Sequence, residues 1–280
     1  MSFFPFRRFP MLKEEYIMST PHLSLHKEAP IAWINFNRPE RRNAVSLEMW
    51  QAIPDFVAQV AADDDIRVLL IRGAGEEAFI SGADISQFGS VRANADTTQT
   101  YDRATGAALG SLATLEKPVI AMINGICFGG GCSVAVMCDL RICSDDSRFC
   151  IPAARLSIAY PVERGVERLV HIVGAANATE ILVTARVYNA EEAHHMGLVN
   201  RVIPKAELES FTREYAAKIA DNAPLSVSAH KFFVRESTKA ANLRDVDKIR
   251  AWSARCFNSD DYKEGVAAFM QKRRPKFQGK

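Results

Sequence analysis

The sequence predicts an α/β fold, with strands and helices alternating in one core and a layer of helices closing the C-terminal end. Three observations carry this. Short apolar runs ending in Gly, Asp or Ser ("IRVLLIRG", "EAFISGAD", "KPVIAMING", "DLRICS") recur with helical stretches between most of them, which is the pattern of parallel strands with crossover helices. Beyond about residue 163 the pattern becomes helix upon helix. The 280 residues, 48% of them hydrophobic, suffice for one large or two modest cores.

Element by element, "MSFFPFRRFPMLKEEYI" is basic and aromatic without a continuous apolar stretch, so it does not read as a secretory signal. Residues 1–17 are expected to be a disordered extension, with organised sequence beginning at Met18. "LSLHKE" and "IAWINFN", separated by "AP", predict a hairpin of half-buried strands. Ser46 is placed to cap a helix whose Trp50, Ile53, Val57 and Val60 share a face and whose Pro54 predicts a kink. The strand-like runs follow, making residues 18–203 the core. Residues 204–280 contain "PKAELESFTREYAAKIAD", "PLSVSAHKFFVRES", "NLRDVDKIRAWSARCF" and "SDDYKEGVAAFMQKRR", each helical in pattern, with Asn242 and Ser259 as expected N-caps.

Composition excludes several function classes. The 35 basic and 33 acidic residues leave a net charge of +2 with no basic stripe, which argues against nucleic acid as a partner. The longest apolar runs are strand-sized, far short of the roughly 20 residues that span a bilayer, so no membrane role is expected. Six cysteines occur without any C-x-x-C pair, so neither a zinc site nor a disulfide framework is expected. They read as buried free thiols in a reducing, cytoplasmic setting.

The chemically informative stretch is "NGICFGGGCSVAV", residues 124–136, directly after the apolar "PVIAMI". A strand, a glycine-rich turn and a helix N-terminus can hold a phosphate or the oxyanion of a reacting carbonyl. A Walker A reading fails because no Gly-Lys-Ser/Thr follows.

At the level of whole blocks, "NRPERRNAVSLEM", "AFISGADISQF", "KPVIAMINGICFGGGCSVAVMCDLRICSDDSRFCIP", "AEEAHHMGLVNRVIP" and "DDYKEGVAAFMQKRRPKF" resemble, in order, the blocks of the crotonase (enoyl-CoA hydratase/isomerase) superfamily. The resemblance implies a spiral of ββα turns with a C-terminal helical trimerisation region. It also implies an acyl-coenzyme A thioester as substrate, with coenzyme A entering as part of it, no separate cofactor or metal, and assembly as a homotrimer or dimer of trimers. It implies an oxyanion hole made by the backbone N–H groups of Ala83 and Gly130. Contacts to coenzyme A are implied at Arg42, Ala44, Asp84, Ile85, Phe269 and Lys272, the last two reaching it from an adjoining subunit. By type alone, Asp84 could serve as a base, but an acid that opens a helical segment more often caps it.

The departures matter as much. Members that hydrate a double bond carry two glutamates, and those positions are Ser133 and Ala153 here, neither of which is a carboxylate acid or base. The polar residues left near the implied acyl pocket include Tyr160 and Glu163. Tyr160, before "PVERG", resembles the pocket tyrosine of a crotonase relative, methylmalonyl-CoA decarboxylase, whose "GHD" histidine is Ala83 here. The plain alternatives are a packed Tyr160 and a solvated, helix-opening Glu163. Tyr101 and Asp102 flank the implied acyl site, and His194 and His195 read as surface residues. Three readings follow: enolate chemistry such as decarboxylation or isomerisation with Ser133 and Tyr160 in supporting roles, hydration with Glu163 and Tyr160 as relocated acid and base, or an acyl-CoA-binding oligomer without turnover.

Overall fold

The apolar runs assemble into two sheets. The computed structural model describes residues 15–87, 95–160 and 165–280. Strands β1 (Glu15–Thr20), β2 (Leu23–Glu28) and β3 (Ile31–Phe36) form an antiparallel meander. β4 (Val68–Gly73), β6 (Val119–Ile123), β8 (Leu140–Ser144) and β11 (Arg201–Ile203) extend it in parallel, giving the order β1-β2-β3-β4-β6-β8-β11. A second sheet pairs β5 (Ala78–Ile80), β7 (Ile126–Phe128) and β9 (Arg148–Cys150) in parallel, with β10 (Tyr188–Asn189) antiparallel at its edge.

Helix α1 (Leu47–Ala62) connects β3 to β4, and the chain then repeats one unit three times. β4 and β5, β6 and β7, and β8 and β9 each place one strand in each sheet. The helices α2 (Ala95–Thr114), α3 (Gly130–Met137) and α4 (Val166–Thr184) close the respective units, so the core is the expected ββα spiral. α5 (Ala190–His195), opened by the Asn189–Glu192 capping box, leads into β11. All six residues of β3 are buried. Ala32, Ile34 and Phe36 face the main core, while Ile31 and Trp33 face a second cluster under α6 (Leu208–Ala220). Cover on both faces is why these strands read as continuous apolar runs rather than clean alternation.

α7 (Pro224–Ser237), α8 (Val246–Phe257) and α9 (Asp260–Met270) form the C-terminal layer. Ile249, Trp252 and Cys256 pack on Leu225, Ala229 and Phe232 of α7, so that face of α8 is consumed within the chain. The tail is clasped: the buried Asp261 carboxylate accepts the amides of Gln278 at 2.7 Å and Gly279 at 2.8 Å, and Arg67 donates to the carbonyls of Ala220 and Phe277.

Two expectations need correcting. The organised chain does not wait for Met18: β1 begins at Glu15, whose pairing with Lys27 extends the sheet by three residues, and residues 1–14 lie outside the described ones. Asn242 is not the cap of α8. It lies in a separate 3-10 turn, and Asp245 caps the helix by accepting the Lys248 amide at 2.9 Å, whereas Ser259 does cap α9.

Among the described residues no helix is long and apolar enough to cross a membrane, and no cluster of His, Cys, Asp and Glu gathers to hold a metal. Cys127, Cys132, Cys138, Cys143 and Cys150 are buried free thiols, and Cys256 is half-buried.

Candidate active site

The segment between β3 and α1 builds one wall of the site. Arg42 and Asn43 adopt positive φ, and the buried Asn43 side chain fixes this turn from inside. Its carbonyl accepts the Arg38 amide at 2.9 Å, and its amide donates to Ala74 and Ala78 carbonyls at 2.9 and 2.8 Å. The turn then bridges to the strand that leaves β5. The Val45 amide donates to Gly82 O at 2.9 Å and the Asp84 amide to Val45 O at 3.0 Å. This parallel bridge uses the Gly82 carbonyl and the Asp84 amide on either side of Ala83, which turns the Ala83 N–H to the opposite side, away from Val45.

Asp84 locks that geometry. Its Oδ2 accepts Arg38 Nη1 at 2.8 Å, and its Oδ1 accepts the Ser86 hydroxyl at 2.6 Å and the Ser86 amide at 3.1 Å. Arg38 also donates to Ala44 O at 3.1 Å. Burial works against the Asp84 carboxylate, but the Ser86 and Arg38 contacts outweigh it and hold its pKa below the ordinary carboxylate value. Of the two roles its type allowed, the capping role is the one its contacts fit: Asp84 is an ionised clasp between two turns.

The glycine turn forms the facing wall. Gly129 has φ 50° and ψ −110°, a conformation that side chains resist, and its amide is tied to Cys150 O at 2.8 Å. Gly131 admits no side chain because a Cβ there would sit 2.3 Å from Ile80 O. Between them Gly130 opens α3, so its N–H has no acceptor within the helix. A Cβ on Gly130 would lie 3.6 Å from the Ala83 nitrogen, so the two backbone segments are in contact. Cys127 and Cys132 flank the turn with sulfurs 4.0 Å apart, and Cys132 Sγ donates to Cys127 O at 3.0 Å.

Ser133, one turn into α3, is buried and shares a very short hydrogen bond with the Tyr160 hydroxyl, which also lies 3.4 Å from Gly129 O. Two residues 27 positions apart thus meet at the glycine turn. Burial pushes the Tyr160 phenol well above its ordinary pKa, against a smaller opposing effect of the Ser133 hydrogen bond; the other groups acting on it are Cys132 and Cys127, with no described carboxylate among them. Ala153 lies half-buried in the 3-10 turn Pro152–Leu156 and carries no polar side chain. Glu163 lies outside the described residues.

The remaining expected contacts are dispersed. Arg42 is exposed and paired with Glu77 at 3.3 Å, Ala44 supplies only its carbonyl to Arg38, and Ile85 is exposed beside the Asp84 clasp. Phe269 and Lys272 are exposed at the end of α9, and no hydrogen bond or ion pair among the described residues ties them to the glycine turn. His194 and His195 are exposed in the last turn of α5. Sequence reasoning missed Arg38, although "NRPE" precedes the turn it clasps. It also read Trp50 only as a core residue; its Cζ2 lies 3.3 Å from the point a Cβ on Gly130 would occupy, and its indole N–H donates to Tyr101 Oη at 3.1 Å.

Known proteins resemble this chain in sequence and fold. Residues 26–280 match the family described as Enoyl-CoA hydratase/isomerase. A short-chain-enoyl-CoA hydratase of Clostridium acetobutylicum is 33% identical over 261 residues, covering 92% of this chain and 97% of its own. A peroxisomal Δ(3,5)-Δ(2,4)-dienoyl-CoA isomerase of Arabidopsis thaliana is 33% identical, covering 86% of this chain and 90% of its own. Among solved structures, an enoyl-CoA hydratase/carnithine racemase from Magnetospirillum magneticum superposes with a TM-score of 0.88 at 34% identity, covering 94% of this chain and 97% of that one.

Proposed function

The chain belongs to the enoyl-CoA hydratase/isomerase family, and on that premise we propose that it is an acyl-CoA enzyme whose reaction runs through a thioester enolate and needs no carboxylate pair. The observation that carries this reading is the content of the two glutamate positions: Ser133 is buried against Tyr160, and Ala153 has no titratable group. Both hydroxyls of the pair are neutral at physiological pH, since burial raises the Tyr160 phenol further. They serve as hydrogen-bond donors and not as a base.

Decarboxylation of a malonyl-type thioester suits such a site best. The bond between the α-carbon and the carboxylate breaks, carbon dioxide leaves, and the electron pair of that bond becomes the enolate. No base takes part in that step. The Ala83 and Gly130 amides donate to the enolate oxygen, a pair of preorganised donors of which each is worth about 10²- to 10³-fold in rate. A proton delivered through water held at Ser133 or Tyr160 then completes the acyl-CoA product. Tyr160 also turns the departing carboxylate out of the thioester plane. Arg42, Ala44 and Ile85 line the coenzyme's approach, and Phe269 and Lys272 reach it from an adjoining subunit in a trimer or dimer of trimers, an arrangement their exposure favours.

A second reading, hydration of an enoyl-CoA with Glu163 and Tyr160 as acid and base, is favoured by the hydratase activity named for the Clostridium relative. Turnover of methylmalonyl-CoA, malonyl-CoA and crotonyl-CoA by the purified protein separates the two. Carbon dioxide release from a malonyl-type substrate, with crotonyl-CoA hydration slowed by about 10²-fold or more relative to ordinary hydratases, is expected. Hydration at an ordinary rate that Glu163→Gln abolishes would replace the first reading with the second.

A further inference from the structure

Trp50 stands behind the turn at which a bound thioester carbonyl would sit. The point where a Gly130 side chain would begin lies 3.3 Å from Trp50 Cζ2, so the indole edge closes the turn on the α1 side. The ring is anchored by its N–H bond to Tyr101 Oη at 3.1 Å, and both residues are almost wholly buried, at 1% and 4% exposure. Tyr101 is seated by its own helix: the Thr105 hydroxyl bonds back to the Tyr101 carbonyl at 2.9 Å.

Beside this pair, along α1 and α2, lies a groove of about 340 Å³, lined by Gln51, Pro54, Thr100, Arg103, Ala104 and Ala107. These are the near sequence neighbours of the two aromatic residues, on the outward sides of the same helices. The Trp50–Tyr101 contact therefore separates the glycine turn from an open groove. Pro54 adds a local weakness, because it has no N–H to give the Trp50 carbonyl one turn back.

We infer that the Trp50–Tyr101 pair is a plug that sets acyl-chain length: it confines the substrate to short acyl groups, and its removal connects the site to the α1–α2 groove. The inference rests on the acyl-CoA reading of the site but not on which reaction is catalysed. A long chain meets the indole in the parent protein. With the indole gone it extends along Pro54, Ala104 and Ala107 of the groove, where each methylene buried strengthens binding about fourfold.

The test is calorimetric titration of butyryl-CoA and decanoyl-CoA, saturated probes suited to binding, into the parent, Trp50→Leu and Tyr101→Phe. The parent is expected to favour butyryl-CoA by about tenfold or more, and Trp50→Leu to move that ratio toward decanoyl-CoA by at least about tenfold, a small part of what six methylenes can supply. Tyr101→Phe keeps the ring and deletes only the anchor, so it decides the matter if the larger substitution fails to fold; a shift in the same direction of about threefold is expected. A parent that binds decanoyl-CoA as tightly as butyryl-CoA, or a ratio unmoved in the folded variants, overturns the plug. Failure of the parent to bind any acyl-CoA overturns instead the reading of the site on which it rests.

Discussion

The glycine turn and the end of α9 are built in opposite ways. At the turn the candidate atoms are backbone amides, held from several sides: Gly131 lies against Ile80, Gly129 is tied to Cys150, and the Ala83 strand is bridged to Val45 and clasped through Asp84 and Arg38. At the end of α9 the candidate groups are side chains that the chain itself leaves uncovered, with Phe269 83% and Met270 76% exposed. The difference teaches a division of labour. Electrostatic stabilisation requires atoms that do not move when charge develops, so it is built into the core. In the proposed function, capture of a large, flexible coenzyme and contact with another subunit need surface and fall to exposed residues such as Phe269. The positions proposed for acid–base chemistry sit between the two, with Ser133 buried one turn into α3 and Ala153 half-buried in the 3-10 turn Pro152–Leu156.

The sharpest way to break the comparison is Gly130→Pro, which deletes one donor and restrains the turn. Turnover should fall by about 10²- to 10³-fold or more, while gel filtration and circular dichroism show an intact assembly. Retained turnover would mean that the turn is only a packing element. Next in size is Asp84→Asn, which leaves the buried Arg38 charge unpaired and should cost about 3 kcal/mol in denaturant unfolding. Its pH dependence has a definite sign. The folded carboxylate is held below its ordinary pKa, so the clasp stabilises the fold above about pH 4 and loses that contribution as pH falls. The acid limb of the stability curve should therefore flatten in the variant.

Smaller effects are expected where a side chain assists without carrying the reaction. Tyr160→Phe should lower turnover of the decarboxylated substrate by about tenfold, the worth of one good hydrogen bond, with little change in thermal midpoint. The raised phenol pKa also means that activity should show no ionisation of Tyr160 near pH 10, the ordinary tyrosine value. Smallest for the fold is Phe269→Ala, expected to change stability by less than about 0.5 kcal/mol because nothing in the chain packs over it. Its effect should fall on KM or on the mass by light scattering, where three or six copies of 31.0 kDa are expected. A monomer at micromolar concentration that still turns over acyl-CoA would erase the contrast between the two regions.

Legibility in the sequence followed element length only in part, since the six-residue β1 begins inside the expected extension and the three-residue β5 stands out in "EAFISGAD". β2, β3, β4, β6 and β8 span five or six residues, long enough for an apolar run to stand out, and Ser46 and Ser259 are caps of a type the sequence alone reveals. β7, β9, β10 and β11 have two or three residues each, too few for any period, so most of the second sheet is not visible as strands. At the site, the glycine turn is readable because backbone demands constrain residue type directly. The Ser133–Tyr160 pair, the Arg38–Asp84 clasp and the Trp50–Tyr101 plug are not, because each joins residues 27 to 51 positions apart through the packing of separate elements. Asn242 misleads for a related reason: Asp245, three residues on, takes the cap once the 3-10 turn has used Asn242.

The thiols that flank the glycine turn provide a clock for its opening. Burial raises the pKa of Cys127 well above normal and pushes Cys138 and Cys143 up to about 12, so none of them is a competent nucleophile while the structure is closed. An alkylating reagent should therefore reach Cys256 first and the turn only when it transiently opens. The modification rate of Cys127 and Cys132, followed by peptide mass, then reports how often the backbone of the glycine turn comes apart in the native protein, without any substrate being present.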